Sequence, residues 1–273
     1  MYLASMSWSK AQELKGDALA AIVPLGSVEQ HGPLGPLGTD YIIPRDLAAR
    51  IEARLPDRVL VLPTLPYGST PAHLSFPGTV NIGYEALCTV LRAIVDAVLG
   101  CGVRRVLFLN GHGGNAAAID TAALYLYHRG GQGAEIDWWT LCAQLNPDWR
   151  CGHGGGVETA VAMAVKPDWV HPEDLFESRI AHLSPRLRNT HIHSVEFEKG
   201  TVKMVRDVRD AIPSGDAGYG DIPARANPNL GAEILDAVTD YAERFILEFL
   251  TLDLTAGRRT GAGSEADKKE VRR

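Results

Sequence analysis

The sequence has no basic excess, no long apolar run, no paired-cysteine motif and no glycine-rich nucleotide fingerprint. Lys and Arg number 27 against 33 Asp and Glu, a net charge of -6. That balance argues against a broad nucleic-acid surface. No stretch approaches the ~18 uninterrupted apolar residues of a membrane span, so no membrane association is expected. Lys10 and Lys15 lie near the N-terminus without an apolar signal region, and a soluble cytoplasmic protein is the expectation. Cys88, Cys101, Cys142 and Cys151 contain no C-x-x-C pair. Reduced, partly buried thiols are therefore expected rather than a disulfide framework.

What the chain has is apolar material in regular alternation. Of 273 residues, 45% are hydrophobic, enough for one sizeable α/β core. Short apolar runs bounded by Pro or Gly read as strands: Ala20 to Leu25, Val59 to Leu62, Val103 to Leu109, Ile136 to Leu141, and a short one at Val202 to Val205 that also suits an antiparallel ribbon. Between them lie helical patterns. Ile43 to Leu55 carries Pro44 near its expected first turn, where a missing N–H costs little. Tyr84, Leu87, Leu91, Ile94 and Val98 recur on one helical face. Ala116 to Tyr127 follows Asn115 as an N-cap, Val157 to Val165 is shorter, and Leu230 to Phe249 marks a long C-terminal helix. Strand–helix alternation predicts a mostly parallel sheet covered on both faces. The expected organisation is one domain over residues 1–254 and a disordered polar tail over 255–273.

Chemistry-bearing residues cluster after these strands. Gly26-Ser27-Val28-Glu29-Gln30-His31-Gly32 follows the first, with Asp40 nine residues on. Asn110-Gly111-His112-Gly113-Gly114-Asn115 follows the third. Gly152-His153-Gly154-Gly155-Gly156 leads into a helix with Glu158 near its first turn, where its charge suits the helix dipole. In an α/β sheet, ligands bind beyond the carboxyl ends of the strands. Glu29 and His31, two apart in extended backbone, share a face. Three carboxylates and two or three imidazoles from four segments suit zinc or manganese, with iron a third option. A shared carboxylate can hold two ions about 3.5–4 Å apart. Singly, each histidine reads as well as a hydrogen-bonding loop residue, and glycine turns after strands also cradle phosphate.

At these residues the chain resembles the creatininase (creatinine amidohydrolase) family. The likeness rests on Pro24 to Pro33, Leu37-Gly38-Thr39-Asp40, His73 with Phe76-Pro77-Gly78-Thr79, Asn110 to Asn115, Gly152-His153 with Glu158-Thr159, and Gly218-Tyr219-Gly220-Asp221. The resemblance implies a three-layer α-β-α domain with a mostly parallel central sheet. It implies two divalent metal ions: Glu29, Asp40 and His112 on one, His31, Asp40 and Glu158 on the other, with Asp40 bridging. His153 matches a histidine implicated in proton transfer to the leaving group. Gly113 and Gly114 stand where creatinine-hydrolysing members carry Tyr and Glu, and Leu34 stands where a histidine is common. The resemblance further implies a homo-oligomer, with a hexamer favoured.

The expected activity is a metal-dependent hydrolase in which a metal-bridging hydroxide attacks a carbonyl carbon. A C–N amide or cyclic amide of a small molecule ranks first, with Ser69 and His73 shaping the substrate pocket. A cyclic polyol ketone cleaved at a C–C bond, formylamide deformylation and precursor-peptide trimming follow. A non-catalytic metal-binding protein is the rival from another class.

Overall fold

The computed structural model describes residues 1–174, 177, 179–216 and 221–255. The expected tail from 256 onward and the Gly218-Tyr219-Gly220 part of the late motif lie outside the described residues.

Four parallel strands form the central sheet: β1 (Ala20–Leu25), β2 (Val59–Val61), β3 (Arg105–Asn110) and β4 (Gln132–Asp137), in the order β2-β1-β3-β4. A second sheet of three antiparallel strands, β5 (Arg188–His191), β6 (Ser194–Phe197) and β7 (Gly200–Lys203), lies later in the chain. The described helices are α1 (Trp8–Gln12), α2 (Thr39–Arg54), α3 (Tyr84–Gly100), α4 (Ala116–His128), α5 (Trp138–Leu145), α6 (Gly156–Val165), α7 (Val208–Ala211), α8 (Ile222–Arg225) and α9 (Pro228–Thr251). None of them is long and apolar enough to cross a membrane.

β1 and β3 are buried at every position, as expected for parallel strands covered on both faces. Their side chains alternate between two cores. Ala20, Ile22, Leu107 and Leu109 join α2, α5, α6 and α9 on one face. Ala21, Val23, Leu25, Val106 and Phe108 join α3 and α4 on the other. The result is the expected three-layer α-β-α arrangement.

Three sequence expectations differ from the structure. The run from Ile136 to Leu141 is the end of edge strand β4 joined to the start of α5. Its apolar residues belong to both elements, and the polar first half of β4 conceals the strand. Pro44 sits inside α2, which begins at Thr39 rather than Ile43. The short run at Val202 to Val205 is an antiparallel ribbon strand but lies earlier, as β7 (Gly200–Lys203), and it pairs with β6 and through it with β5, strands whose largely exposed residues lack the apolar signature of core strands.

The placement of α2 is decided by close packing. A Cβ on Gly26 would lie 2.0 Å from the carbonyl oxygen of Asp40, and one on Gly111 would lie 2.1 Å from the same atom. Pro44, lacking an N–H, offers no hydrogen bond to the Asp40 carbonyl four residues earlier. The first turn of α2 therefore rests directly on the ends of β1 and β3.

Gly111→Ala should destabilise the protein by about 1–3 kcal/mol through overpacking. Gly113→Ala, whose added carbon would meet only the Trp139 ring at 3.8 Å, should stay within about 0.5 kcal/mol of the parent. Chemical denaturation of the two variants checks this; equal midpoints would contradict it.

Candidate metal centre

β2 and β3 flank β1 on opposite sides, so the chain reverses its winding direction between β1 and β3. Such a switch point opens a crevice beyond the carboxyl ends of the strands. Leu25 pairs with Asn110 at the last register position, and the Gly111 amide donates to the Leu25 carbonyl at 2.8 Å. The segments that follow, one carrying Glu29 and His31 and the other His112, thus leave the sheet at one level. α2 adds Asp40 from its first turn. α6 adds Glu158 from its own, with its start held by Asp221, whose Oδ1 accepts from the Gly156 amide at 2.9 Å. Glu29, His31, Asp40, His112 and Glu158 are all buried.

Each central imidazole faces a backbone carbonyl with one nitrogen. His31 Nδ1 lies 3.1 Å from the Glu29 oxygen, His112 Nε2 lies 3.0 Å from the Ser69 oxygen, and His153 Nε2 lies 2.7 Å from the Gln30 oxygen. A carbonyl only accepts, so His31 Nδ1 and His112 Nε2 carry the ring N–H, while His153 Nε2 also faces the Gln30 side-chain amide nitrogen, a donor, at 2.9 Å. The opposite nitrogens then point at carboxylates. His31 Nε2 is 3.0 Å from Asp40 Oδ1 and 3.7 Å from Glu158 Oε2. His112 Nδ1 is 3.2 Å from both Glu29 Oε1 and Asp40 Oδ2. His153 Nδ1 is 3.7 Å from Glu29 Oε1. Lone pairs facing lone pairs in a buried site repel unless a cation lies between them, either a proton or a metal ion.

Two carboxylate oxygens, Glu29 Oε1 and Asp40 Oδ2, are buried without a hydrogen-bond donor. The other Glu29 oxygen accepts from the Thr70 hydroxyl, and Glu158 Oε2 accepts from the Gly154 amide at 2.6 Å. Potential ligand atoms converge in three groups: Glu29, Asp40 and His112; His31, His153 and Glu158; and Glu29, His73 and His153. The residues present suit a divalent ion in donor type, in charge and in the orphaned oxygens they aim inward.

Proton affinities in the metal-free protein follow from this packing. Burial pushes His31 down, but Asp40 and Glu158 overcome it and raise it to about 10. His112 is likewise held well above the usual histidine range, with burial opposed by Glu29 and Asp40. Burial and the neighbouring imidazoles His31 and His73 depress His153 well below that range. Burial raises Glu158 to about 7 against the pull of His31. Burial works against the charged form of Glu29 too, yet His112, His73 and His153 keep it well below the carboxylate norm. Cys151 also lines the cavity, but burial and Glu158 push its thiol upward. It is a poor thiolate, and therefore a poor nucleophile.

The cluster forms the floor of a cavity of about 880 Å³. Of the two residues expected in the substrate pocket, Ser69 reaches the site through its backbone carbonyl, on His112. His73 stands within the cluster itself, its Nε2 3.7 Å from Glu29 Oε1. Sequence reasoning passed over Gln30, whose amide joins His73 Nδ1 at 3.0 Å to the Gly32 amide at 3.0 Å. It also passed over Thr70; Asn115, expected to cap α4, makes no side-chain cap, and its carboxamide instead links the Gly26 carbonyl and the Ser69 amide. The positions of Gln30 and Asn115 inside the motifs that carry the family resemblance were the available signal; Thr70 lies outside them.

A family model described as creatininase, creatinine amidohydrolase, matches residues 4–246. The mycofactocin precursor peptide peptidase of Mycobacterium ulcerans (strain Agy99) is 32% identical over 203 residues, covering 71% of this chain and 78% of that protein. A mutant creatininase of the Zn-Zn type superposes with a TM-score of 0.67 at 23% identity, covering 92% of this chain and 98% of the other. A solved structure described as creatininase Mn gives 0.67 at 23% identity, covering 92% and 99%. At that identity the likeness establishes the fold.

Metal loading should release protons. At pH 7 His31 and His112 are protonated in the metal-free protein, and each must become neutral to ligate. Titration with zinc in weakly buffered solution should release two or more protons per chain, with Glu158, raised to about 7, adding to the two histidines. Release should fall as the starting pH rises through about 10, where His31 gives up its proton, and the share from His112, also held high, is lost only as that group deprotonates too. Proton-neutral binding at pH 7 would contradict this electrostatic description.

Proposed function

The chain belongs to the creatininase family, and we propose on that footing that it is a metal-dependent hydrolase cleaving an amide C–N bond. The observation that carries the reading is the set of imidazole nitrogens aimed at buried carboxylates, with the opposite ring N–H groups already engaged by backbone carbonyls. In this reading Glu29, Asp40 and His112 hold one ion, and His31, Asp40 and Glu158 hold a second. Asp40 is shared, consistent with its two oxygens facing His31 and His112 separately. When bound, the ions polarise the substrate carbonyl and lower the pKa of water. Zinc and manganese both suit these nitrogen and oxygen donors, and iron suits them as well.

The chain's own residues supply the rest. The Ser69 carbonyl and the Thr70 hydroxyl fix the orientation of His112 and Glu29. His153, neutral in the metal-free protein, takes up a proton at Nδ1 as water adds to the carbonyl and delivers it to the leaving nitrogen. Its Nε2 stays on the Gln30 carbonyl throughout. A homo-oligomer, with a hexamer favoured, accompanies this reading.

A precursor-peptide amide is the second reading, favoured by the cavity. A volume of about 880 Å³ is near the upper end of small-molecule pockets, which run to about 1,000 Å³. It leaves room for more than a small cyclic amide. The similarity to a mycofactocin precursor peptide peptidase supports the same choice.

Zinc- or manganese-loaded protein should hydrolyse members of a panel of lactams, N-acyl amino acids and short peptides, and a chelator should abolish the activity. His153→Ala should lower kcat by about 10²–10⁴-fold with metal content unchanged. Activity that survives both chelation and His112→Ala would overturn the proposal.

A further inference from the structure

The second sheet bears on the same cavity. In its register His191 pairs with Ser194, and Ser194 pairs with Lys203. Register partners in an antiparallel sheet present their side chains on one face. These three residues therefore form a row across β5, β6 and β7, and all three line the cavity. His193, in the turn between β5 and β6, lines it as well.

The charge on this wall is one-sided. The acidic residues lining the cavity are Glu29, Asp40 and Glu158, all in the metal cluster. Among the described residues the Lys203 side chain has no hydrogen-bond or ion-pair partner, its backbone alone being paired, in the β6–β7 ladder. The Nδ1 atom of His193 is buried without a hydrogen-bond partner. Burial depresses His193, with the Lys203 and Arg206 charges adding to it, and burial depresses His191, with His193 and Arg150 adding. Donors and positive field thus collect across the cavity from the metal cluster, without a protein anion to meet them.

We propose that the row of His191, Ser194 and Lys203, with His193, binds a free carboxylate of the substrate while the scissile amide lies over the metal cluster. This rests on the hydrolase reading above and narrows it: the substrate class is an amide carrying a carboxylate, either a peptide end or an N-acyl amino acid. Lys203 supplies the charge, and Ser194 and the imidazoles supply neutral hydrogen bonds. The row determines specificity; the bond-breaking step stays with the metal cluster.

The test uses pairs of probes that differ only in the carboxylate: tripeptides and N-acetyl amino acids, each as free acid and as carboxamide. Binding to the zinc-loaded protein is measured by calorimetry and hydrolysis by steady-state kinetics, for the parent, Lys203→Met, Lys203→Glu and a control, Lys199→Met, on the turn before β7. The parent should favour the acid about tenfold or more in Kd or KM, the scale of a hydrogen-bonded charge. Lys203→Met should bring the acid-to-amide ratio close to one, Lys203→Glu should invert it, and Lys199→Met should leave it at the parent value. A Lys203-dependent acid preference in binding without turnover would support the carboxylate site and defeat the hydrolase reading. Turnover without acid preference would do the reverse. A parent that binds acid and amide equally, or binds neither, overturns the inference. The series with the larger preference, peptide or N-acetyl amino acid, identifies the source of the carboxylate.

Discussion

Gly26 and Gly111 let the first turn of α2 settle onto the ends of β1 and β3, with the Asp40 carbonyl oxygen against both glycines. Everything else at the site is arranged about that contact. Once the Asp40 backbone is fixed there, its carboxylate falls between His31 and His112, one oxygen toward each. Gly114 adds a further restriction. A Cβ there would lie 2.0 Å from the Ser69 carbonyl and 2.5 Å from His112 Nε2, between the two partners that orient the His112 ring. Of the two glycines after His112, Gly114 is thus a packing requirement of this chain, while Gly113 has room for a side-chain carbon.

Electrostatics explains why such a cluster persists in a folded protein. Three buried carboxylates and four imidazoles would be costly without a counter-charge, since an unpaired buried charge is penalised by several kcal/mol. In the metal-free protein, protons on His31 and His112 provide that counter-charge. Metal ions would exchange for those protons. Folding and ligation therefore place the same demand on the site: positive charge between the imidazoles and the carboxylates.

Much of this was legible in the sequence, and the residues show why. β1 and β3 are buried on both faces, so they read as uninterrupted apolar runs followed by glycine. The ligand candidates fall just past those runs or in the first turns of α2 and α6. Glu29 and His31, which the spacing placed on one face, both enter the cluster, but in different groups of potential ligand atoms. What was not legible depends on long-range packing or on exposed strands. β4 begins with Gln132 and carries Glu135 and Asp137, so its strand character comes from pairing with β3 rather than from hydrophobicity. β5–β7 are largely exposed and polar, and their alignment into one cavity wall follows from register alone. His73, expected to shape the substrate pocket, lines the cavity, and the turn at Pro71–His73 also carries it in among the Glu29 contacts, which the sequence did not foretell.

The sharing of Asp40 between two ions is the central claim, and metal stoichiometry tests it directly. Elemental analysis of the parent and of Asp40→Asn, each loaded with zinc or manganese and freed of excess metal, should find two ions per chain in the parent and loss of both in the variant. A parent that holds one ion or none, or an Asp40→Asn variant that keeps two, would contradict the account.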